Sequence, residues 1–471
     1  MKKHNLFKVV MITIALVVLL SWVLPGTEFD SQIVEKPISQ IGIFELMGYV
    51  SIAIQYFSHI SIYVLVIGGL YGVLNKIPGY RRLLDKMANG FKNYEVWFLM
   101  IFMVIFAISS AMFGLSLPIM VLFPFVISVI LMMGYDKITA ALVTAGSTTV
   151  GLIGSMFSGN NTYGVDIILR TSPSSDLLEK GILLAAGLAL LIFNVLRYAK
   201  KHKVEEKVEN NTLIPETTER KQAFWPIVVI LDAIVIISFL AFTSWNLFEI
   251  DIFEQLLERM NKFQIFDIAI FEALFGLVQD ANTSNAFGYW TLVELSVVVI
   301  FASWLLSLCY KVKFSEFLTS FFNGAKRALK PALLVVLIYT VLVSTTYIPF
   351  LLTMLKPIID STEGLNAITM SITAFISSIF NVELYYAAGS VLYYVVGGAF
   401  VNLAAGEVAL LSLIFQSMYG VAMLVAPTSV VLMVTLAYMN IPYQSWLKAI
   451  WKFLLQLVIV LLIIFALIPM L

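Results

Sequence analysis

Apolar residues fill the chain in blocks of about 20, broken by short polar stretches, the spacing that predicts membrane-spanning helices. The blocks fall at roughly 6–24, 58–75, 95–112, 117–134, 138–157, 181–199, 223–245, 289–309, 331–350, 366–380, 388–405, 408–437 and 450–470. Two of the longest charge-free runs carry helix breakers in their middle. Val96–Tyr135 contains Gly114, Pro118 and Pro124, and Val408–Leu447 contains Gly420, Pro427 and Pro442. A breaker frees backbone groups that lipid cannot satisfy, so these runs predict re-entrant hairpins or discontinuous helices facing protein or a water-filled cavity.

Composition makes the class firm. Of 471 residues, 60% are apolar and only 12% charged, against about 25% charged in soluble domains. The chain is thus expected to be an all-α polytopic membrane protein. A soluble enzyme, a secreted domain and a nucleic-acid binder are excluded. Lys plus Arg and Asp plus Glu both number 29, so net charge identifies no partner. Cys309 is the sole cysteine and the three histidines (His4, His59, His202) lack ligand spacing, which leaves no metal site and no cofactor expected. The first apolar block is long, and no small-residue cleavage site follows it, so it reads as a retained span.

Basic residues gather in four places: Lys2, Lys3 and Lys8; Lys76 to Lys92; Arg197 to Lys221; and Lys311 to Lys330. The positive-inside rule puts all four in the cytoplasm of a cell-membrane protein, with the N-terminus inside and the C-terminus outside.

An amphipathic stretch leads into an apolar block twice, at 41–57 before 58–75 and at 314–329 before 331–350. The same offset, about 270 residues, pairs 138–157 with 408–428 and 181–199 with 450–470. It also aligns the irregular tails 151–161 and 420–430. One motif order presented from opposite faces predicts an inverted-topology repeat, the plan of secondary carriers that bind substrate near the midplane between broken helices. The first repeat covers 1–199 and the second 289–471. Between them, 200–288 holds a cytoplasmic linker, a linking span and an external segment with an amphipathic helix over 253–263.

At these residues the chain resembles the YfcC family, relatives of anaerobic C4-dicarboxylate carriers and arginine–ornithine antiporters in the ion transporter superfamily. The matching stretches are VLPGTEFD (23–30), IGGLYGVLNK (67–76), GYDKITAA (134–141), NVLRYAKK (194–201), FSEFLTSFFNGAKRALKPALL (314–334), APTSVVLM (426–433) and IPYQSWLK (441–448). The resemblance implies a scaffold domain, a transport domain with two hairpins, elevator-type alternating access and a homodimer. The chain also departs from the family pattern. Relatives carry an acidic pair after the glycine of the first hairpin, where FGLSLPIM (113–120) has none; an Asp-Gly and a Ser-Asn ahead of the second break are replaced in FQSMYGVAMLVAPTS (415–429).

A helix interrupted at midplane offers a positive half-helix end to an anion and free carbonyls to a cation. Candidate binding residues at the first break are Ser155, Ser158, Asn160 and Asn161, and at the second Gln416, Ser417, Pro427, Thr428 and Ser429. The hairpin turns add Gly114 and Ser116, then Asn381, Glu383 and Ser390. Ser147, Thr148 and Thr149 read as small residues for close helix packing. Glu383, inside strongly apolar sequence, is a candidate to carry a proton, bind Na⁺ or receive a substrate amine. Asp232, within the linking span, is a second candidate for ion coupling, beside the alternative of a structural pair in the scaffold or at a dimer interface. Asp136–Lys137 and Glu407 read as interfacial caps at corresponding helix starts.

The function expected is a secondary active transporter for a small amino acid or carboxylate, coupled to Na⁺ or H⁺ or running as an exchanger. The intramembrane carboxylate and histidine clusters of membrane enzymes are missing, as is a phosphate-cradling loop. A channel, and a carrier-like protein that no longer transports, are the alternative readings. The partners implied are a small-molecule substrate and the lipid bilayer.

Overall fold

The computed structural model describes residues 5–30, 32–157, 159–203, 213–215, 222–265, 268–269, 286–362, 364–399 and 403–468. They form helices and two small hairpins, β1 (Thr27–Asp30) with β2 (Gln32–Glu35) and β3 (Gln264–Ile265) with β4 (Ile268–Ala269). Nine helices among the described residues are long and apolar enough to cross a membrane.

After α1 (Asn5–Ser21), the amphipathic stretch and the block at 58–75 merge into one 32-residue helix, α2 (Ile43–Leu74). At 1.5 Å per residue it is about 48 Å long, more than the hydrocarbon core requires. Asn75 ends it, and Pro78, at the first helical position, starts α3 (Pro78–Gly90). α4 (Glu95–Phe113) stops at Gly114, whose φ of 66° suits a residue without a side chain. The chain doubles back through a tight turn at Pro118–Leu122 into α5 (Phe123–Met132), as the first hairpin requires. α6 (Lys137–Gly154) widens at Leu142–Gly146 and ends before a break, beyond which lies α7 (Gly159–Leu169). α8 (Leu177–Lys201) completes this series.

The linking span is α9 (Trp225–Phe242), followed by α10 (Ile252–Lys262), the expected amphipathic helix, and α11 (Leu292–Cys309). The second series then unfolds in the order of the first. α12 (Phe314–Arg327) and α13 (Leu329–Tyr347) stand where α2 stood, and α14 (Leu351–Ile359) where α3 did. α15 (Ala367–Phe380) and α16 (Leu384–Tyr394) make the second hairpin. α17 (Ala405–Met423), a break and α18 (Val430–Met439) form the second interrupted helix, and α19 (Tyr443–Leu467) closes the chain.

The block at 408–437 is two helices, as its breakers predict. Two expectations change. The block at 388–405 is a shorter α16 that continues as a wide turn at Val395–Ala399. The short helices α3 and α14 lie in stretches whose charges and prolines hide them among loops.

The two series interlock through glycine. A Cβ on Gly72 of α2 would stand 2.3 Å from the Ser320 carbonyl oxygen of α12 and 2.7 Å from Gly324 Cα. Only bare backbones come this close, the small-residue contact by which membrane helices associate without hydrophobic help. The start of β1 adds a tether: Thr27 N–H and Oγ1 both donate to the Pro349 carbonyl, at 2.9 and 3.0 Å.

Candidate functional site

The two interrupted helices lie antiparallel. Lys137, at the start of α6, donates from Nζ to the carbonyl of Met439, at the end of α18, at 2.9 Å. Midway the breaks adjoin: Ser417 Oγ donates to the Ile153 carbonyl at 2.9 Å, and Leu152 packs against Met423 and Ala426. Gly420 allows this approach, since a Cβ there would meet Ile153 N at 2.7 Å.

Each break is tied to the hairpin of its own series. Met156 N–H donates to the Ala111 carbonyl in the last turn of α4, at 2.9 Å. Thr428 Oγ1 donates to the Ile379 carbonyl in the last turn of α15, at 2.8 Å. The carbonyls freed at the second break are claimed by α19: Trp446 Nε1 donates to Leu424 at 2.9 Å, and the Tyr443 hydroxyl bonds Val425. An interrupted helix in lipid is stable only if its loose groups are met in this way.

The second hairpin turn carries the densest polar group. Asn381, 1% exposed, accepts from Thr345 Oγ1 at 3.0 Å and donates to the Ser377 carbonyl at 3.3 Å. Glu383, half-buried, takes a long contact of 3.4 Å from the Tyr339 hydroxyl. Tyr419 donates to the Val382 carbonyl at 2.6 Å, so α17 and α13 both reach this turn. Gln416 is buried beside Ser417, with Nε2 on Ser412 Oγ at 3.1 Å and Oε1 without a partner. A buried amide oxygen left open marks a place where a donor is wanted.

Of the expected residues, Gln416, Ser417, Thr428 and Ser429 are buried around the second break, with Pro427 half-buried. Ser155 is buried at the first break, its hydroxyl 3.3 Å from the Leu152 carbonyl. Asn160 and Asn161 fall in the first turn of α7, but their side chains, like Ser158 as a whole, lie outside the described residues. Gly114 and Ser116 occupy the first hairpin turn, half-buried. Ser390 sits half-buried on α16. Asp232 is exposed on α9, a helix that packs on α11 and the turn before α5. Its position follows from the helix face: the acid points away from the fold. The cap expectations hold, with Asp136 Oδ1 accepting from Thr139 N at 2.8 Å and Glu407 Oε2 from Ala404 N at 2.8 Å.

Several residues escaped sequence reasoning. Tyr339, Thr345 and Tyr419 sit in apolar runs where a tyrosine or threonine signals nothing. Asp166 and Lys180 are 4% and 1% exposed, within electrostatic reach of each other. Lys180 Nζ donates to the Pro173 carbonyl at 2.9 Å, Asp166 Oδ1 accepts from Thr171, and Asp166 Oδ2 has no partner. Among the described residues no three His, Cys, Asp or Glu side chains gather as a metal site.

Residues 4–469 match the family model for the C4-dicarboxylate anaerobic carriers, DcuC. The chain belongs to that family. It is therefore a multi-pass membrane carrier acting on small molecules in a lipid bilayer, and not an enzyme. Two solved structures are also similar. One is the YdaH transporter of Alcanivorax borkumensis, at TM-score 0.40 and 10% identity over 99% of this chain and 98% of that one. The other is MtrF of Neisseria gonorrhoeae, described as illuminating a class of antimetabolite efflux pumps, at TM-score 0.40 and 11% identity over 98% and 94%. No curated protein matches the chain.

Proposed function

We propose that this family member is a secondary carrier that moves a small carboxylate by alternating access, with the solute held between the two helix breaks. The observation that carries the reading is the joined pair of breaks, Ser417 on Ile153, each tied to its own hairpin by Met156 and Thr428. The N-termini of α7 and α18 follow these breaks, and their unpaired N–H groups and partial positive charge suit a carboxylate. The C4-dicarboxylate name of the family favours the same class.

The two helix series, taken as inverted repeats, divide the work. α2, α12 and α13 form the scaffold, and the hairpins with the interrupted helices form the part that shuttles. Gly114, Ser116, Ser155, Ser158, Asn160, Asn161, Asn381, Ser390, Gln416, Ser417, Pro427, Thr428 and Ser429 surround the solute. Glu383 is the coupling group for H⁺ or Na⁺. An amino acid is the second reading, favoured by the same residue, since Glu383 offers the one carboxylate at either hairpin turn to a substrate amine. Three basic stretches support an inside N-terminus: α3, the start of α9 and the end of α11 meet where Tyr310 donates to the Ala223 carbonyl beside Gly79.

Uptake into proteoliposomes of labelled succinate, fumarate, arginine and leucine, with and without Na⁺ and pH gradients, tests the reading. Saturable uptake of the dicarboxylates is expected. Saturable uptake of the amino acids alone would move the assignment to the second reading.

A further inference from the structure

A cavity of about 410 Å³ opens between α2, α12 and α13 on one side and α5 and α18 on the other. Its polar residues stand where helices begin or end. Asn75 closes α2, Lys326 and Arg327 lie in the last turn of α12, Lys330 lies in the first turn of α13, and Asn440 closes α18. α13 is one of the helices long and apolar enough to cross a membrane, so this rim lies at a membrane–water boundary.

The rim is positive. Lys326, Arg327 and Lys330 are exposed, and among the described residues none of the three enters an ion pair or a side-chain hydrogen bond. No carboxylate among the described residues lines the cavity. The C-termini of α2, α12 and α18 each bring about half a negative charge, so three cations leave a surplus. The Tyr438 hydroxyl, within electrostatic reach of Arg327, adds a donor.

Below the rim the walls turn apolar. Ile67 and Val64 line the cavity two and three turns back along α2 from Asn75, joined by Ile127 of α5 and Val434 of α18. Three turns of helix are about 16 Å long. The headgroup layer on one side of a bilayer is only about 5–8 Å deep. The cavity therefore reaches past the headgroups to acyl-chain depth, and a free phosphate would leave its apolar part unfilled. Leu329 and Leu333, beside Lys330 on α13, are exposed, so the surface next to the rim is one that lipid covers.

We propose that this cavity is a binding site for an anionic phospholipid, with the phosphate on Lys326, Arg327 and Lys330 and an acyl chain along Val64, Ile67 and Ile127. Basic pockets between spanning helices take anionic headgroups in this way. The site involves neither the transported solute nor the transport cycle, and its test needs no transport.

The full chain, purified in detergent and stripped of lipid, is titrated with phosphatidylglycerol, with phosphatidylcholine of the same chains and with inorganic phosphate. Bound molecules are counted by native mass spectrometry. One phosphatidylglycerol is expected to bind at least tenfold more tightly than phosphatidylcholine. Lys326→Gln, Arg327→Gln and Lys330→Gln together remove that preference, because each cation beside an anionic headgroup contributes severalfold. Lys200→Gln, Lys448→Gln and Lys452→Gln together, at exposed cations that do not line the cavity, keep it at the same net charge. If the cavity triple variant does not fold, Lys326→Gln with Lys330→Gln, at two exposed side chains, reads the same loss. No preference for phosphatidylglycerol in the parent, or equal loss in both triple variants, overturns the site. Inorganic phosphate that binds as tightly and displaces the lipid overturns the lipid assignment and leaves a site for the free ion.

Discussion

Ser417 Oγ donates a 2.9 Å hydrogen bond to the carbonyl of Ile153, joining two helix breaks that lie 264 residues apart. The contact joins the end of one helix to the interior of another. Ile153 ends α6, where carbonyls lose their intrahelical partners, and Ser417 approaches it only because Gly420 has no side chain. The seam between the series is thus made of backbone, and substitutions there should be costly.

Gly420→Val places carbon where Ile153 N and Cγ1 already stand, at 2.7 and 2.8 Å from an added Cβ. Overpacking of a tight core costs about 1–3 kcal/mol, and backbone cannot swing aside. A fall in melting temperature in detergent larger than that of Ser417→Ala is expected, the latter losing about 1 kcal/mol for one hydrogen bond. A Gly420→Val protein as stable as the parent would show that the breaks do not adjoin.

Lys180 and Asp166 are both buried, and Asp166 keeps an unpartnered oxygen. Lys180→Met removes the bond to the Pro173 carbonyl and a cation that acts on Asp166, a loss of about 1–3 kcal/mol. Adding Asp166→Asn should recover part of the loss. Thermal unfolding of the two single variants and the double variant reads this directly, and additive losses would count against an electrostatic link.

Gly114→Ala forces a side chain into left-handed backbone at the turn of the first hairpin, φ 66°. The strain is about 1–2 kcal/mol. Circular dichroism melts should show that loss, while Ser116→Ala, in the same turn but outside left-handed backbone, should leave the melt unchanged.

The two hairpins and the two interruptions were legible, because glycine and proline inside long apolar runs admit few structures. What the sequence hid were the partners. Thr345, Tyr339 and Tyr419 converge on the second hairpin turn from two helices, and nothing in their own neighbourhoods distinguishes them from helix filler. α3 escaped because Arg81, Arg82 and Lys86 look like a solvated loop, yet Leu83 and Leu84 on its other face are buried. Asp232 stood out as an acid inside an apolar block, and the structure places it on an exposed face of α9.

Glu383→Gln should preserve the fold, because the amide oxygen still accepts from Tyr339. Its melting temperature is expected to match the parent, whereas the response of uptake to a pH or Na⁺ gradient should vanish. A gradient response equal to that of the parent would remove Glu383 from coupling.

The central claim, that the joined breaks carry a solute by alternating access, is tested most directly by counterflow. Vesicles holding unlabelled dicarboxylate at high concentration should accumulate labelled dicarboxylate transiently above equilibrium, and Thr428→Val should weaken the effect by freeing the second break from Ile379. Labelled solute that only equilibrates, at a rate indifferent to the unlabelled solute inside, would contradict alternating access and point to a pore.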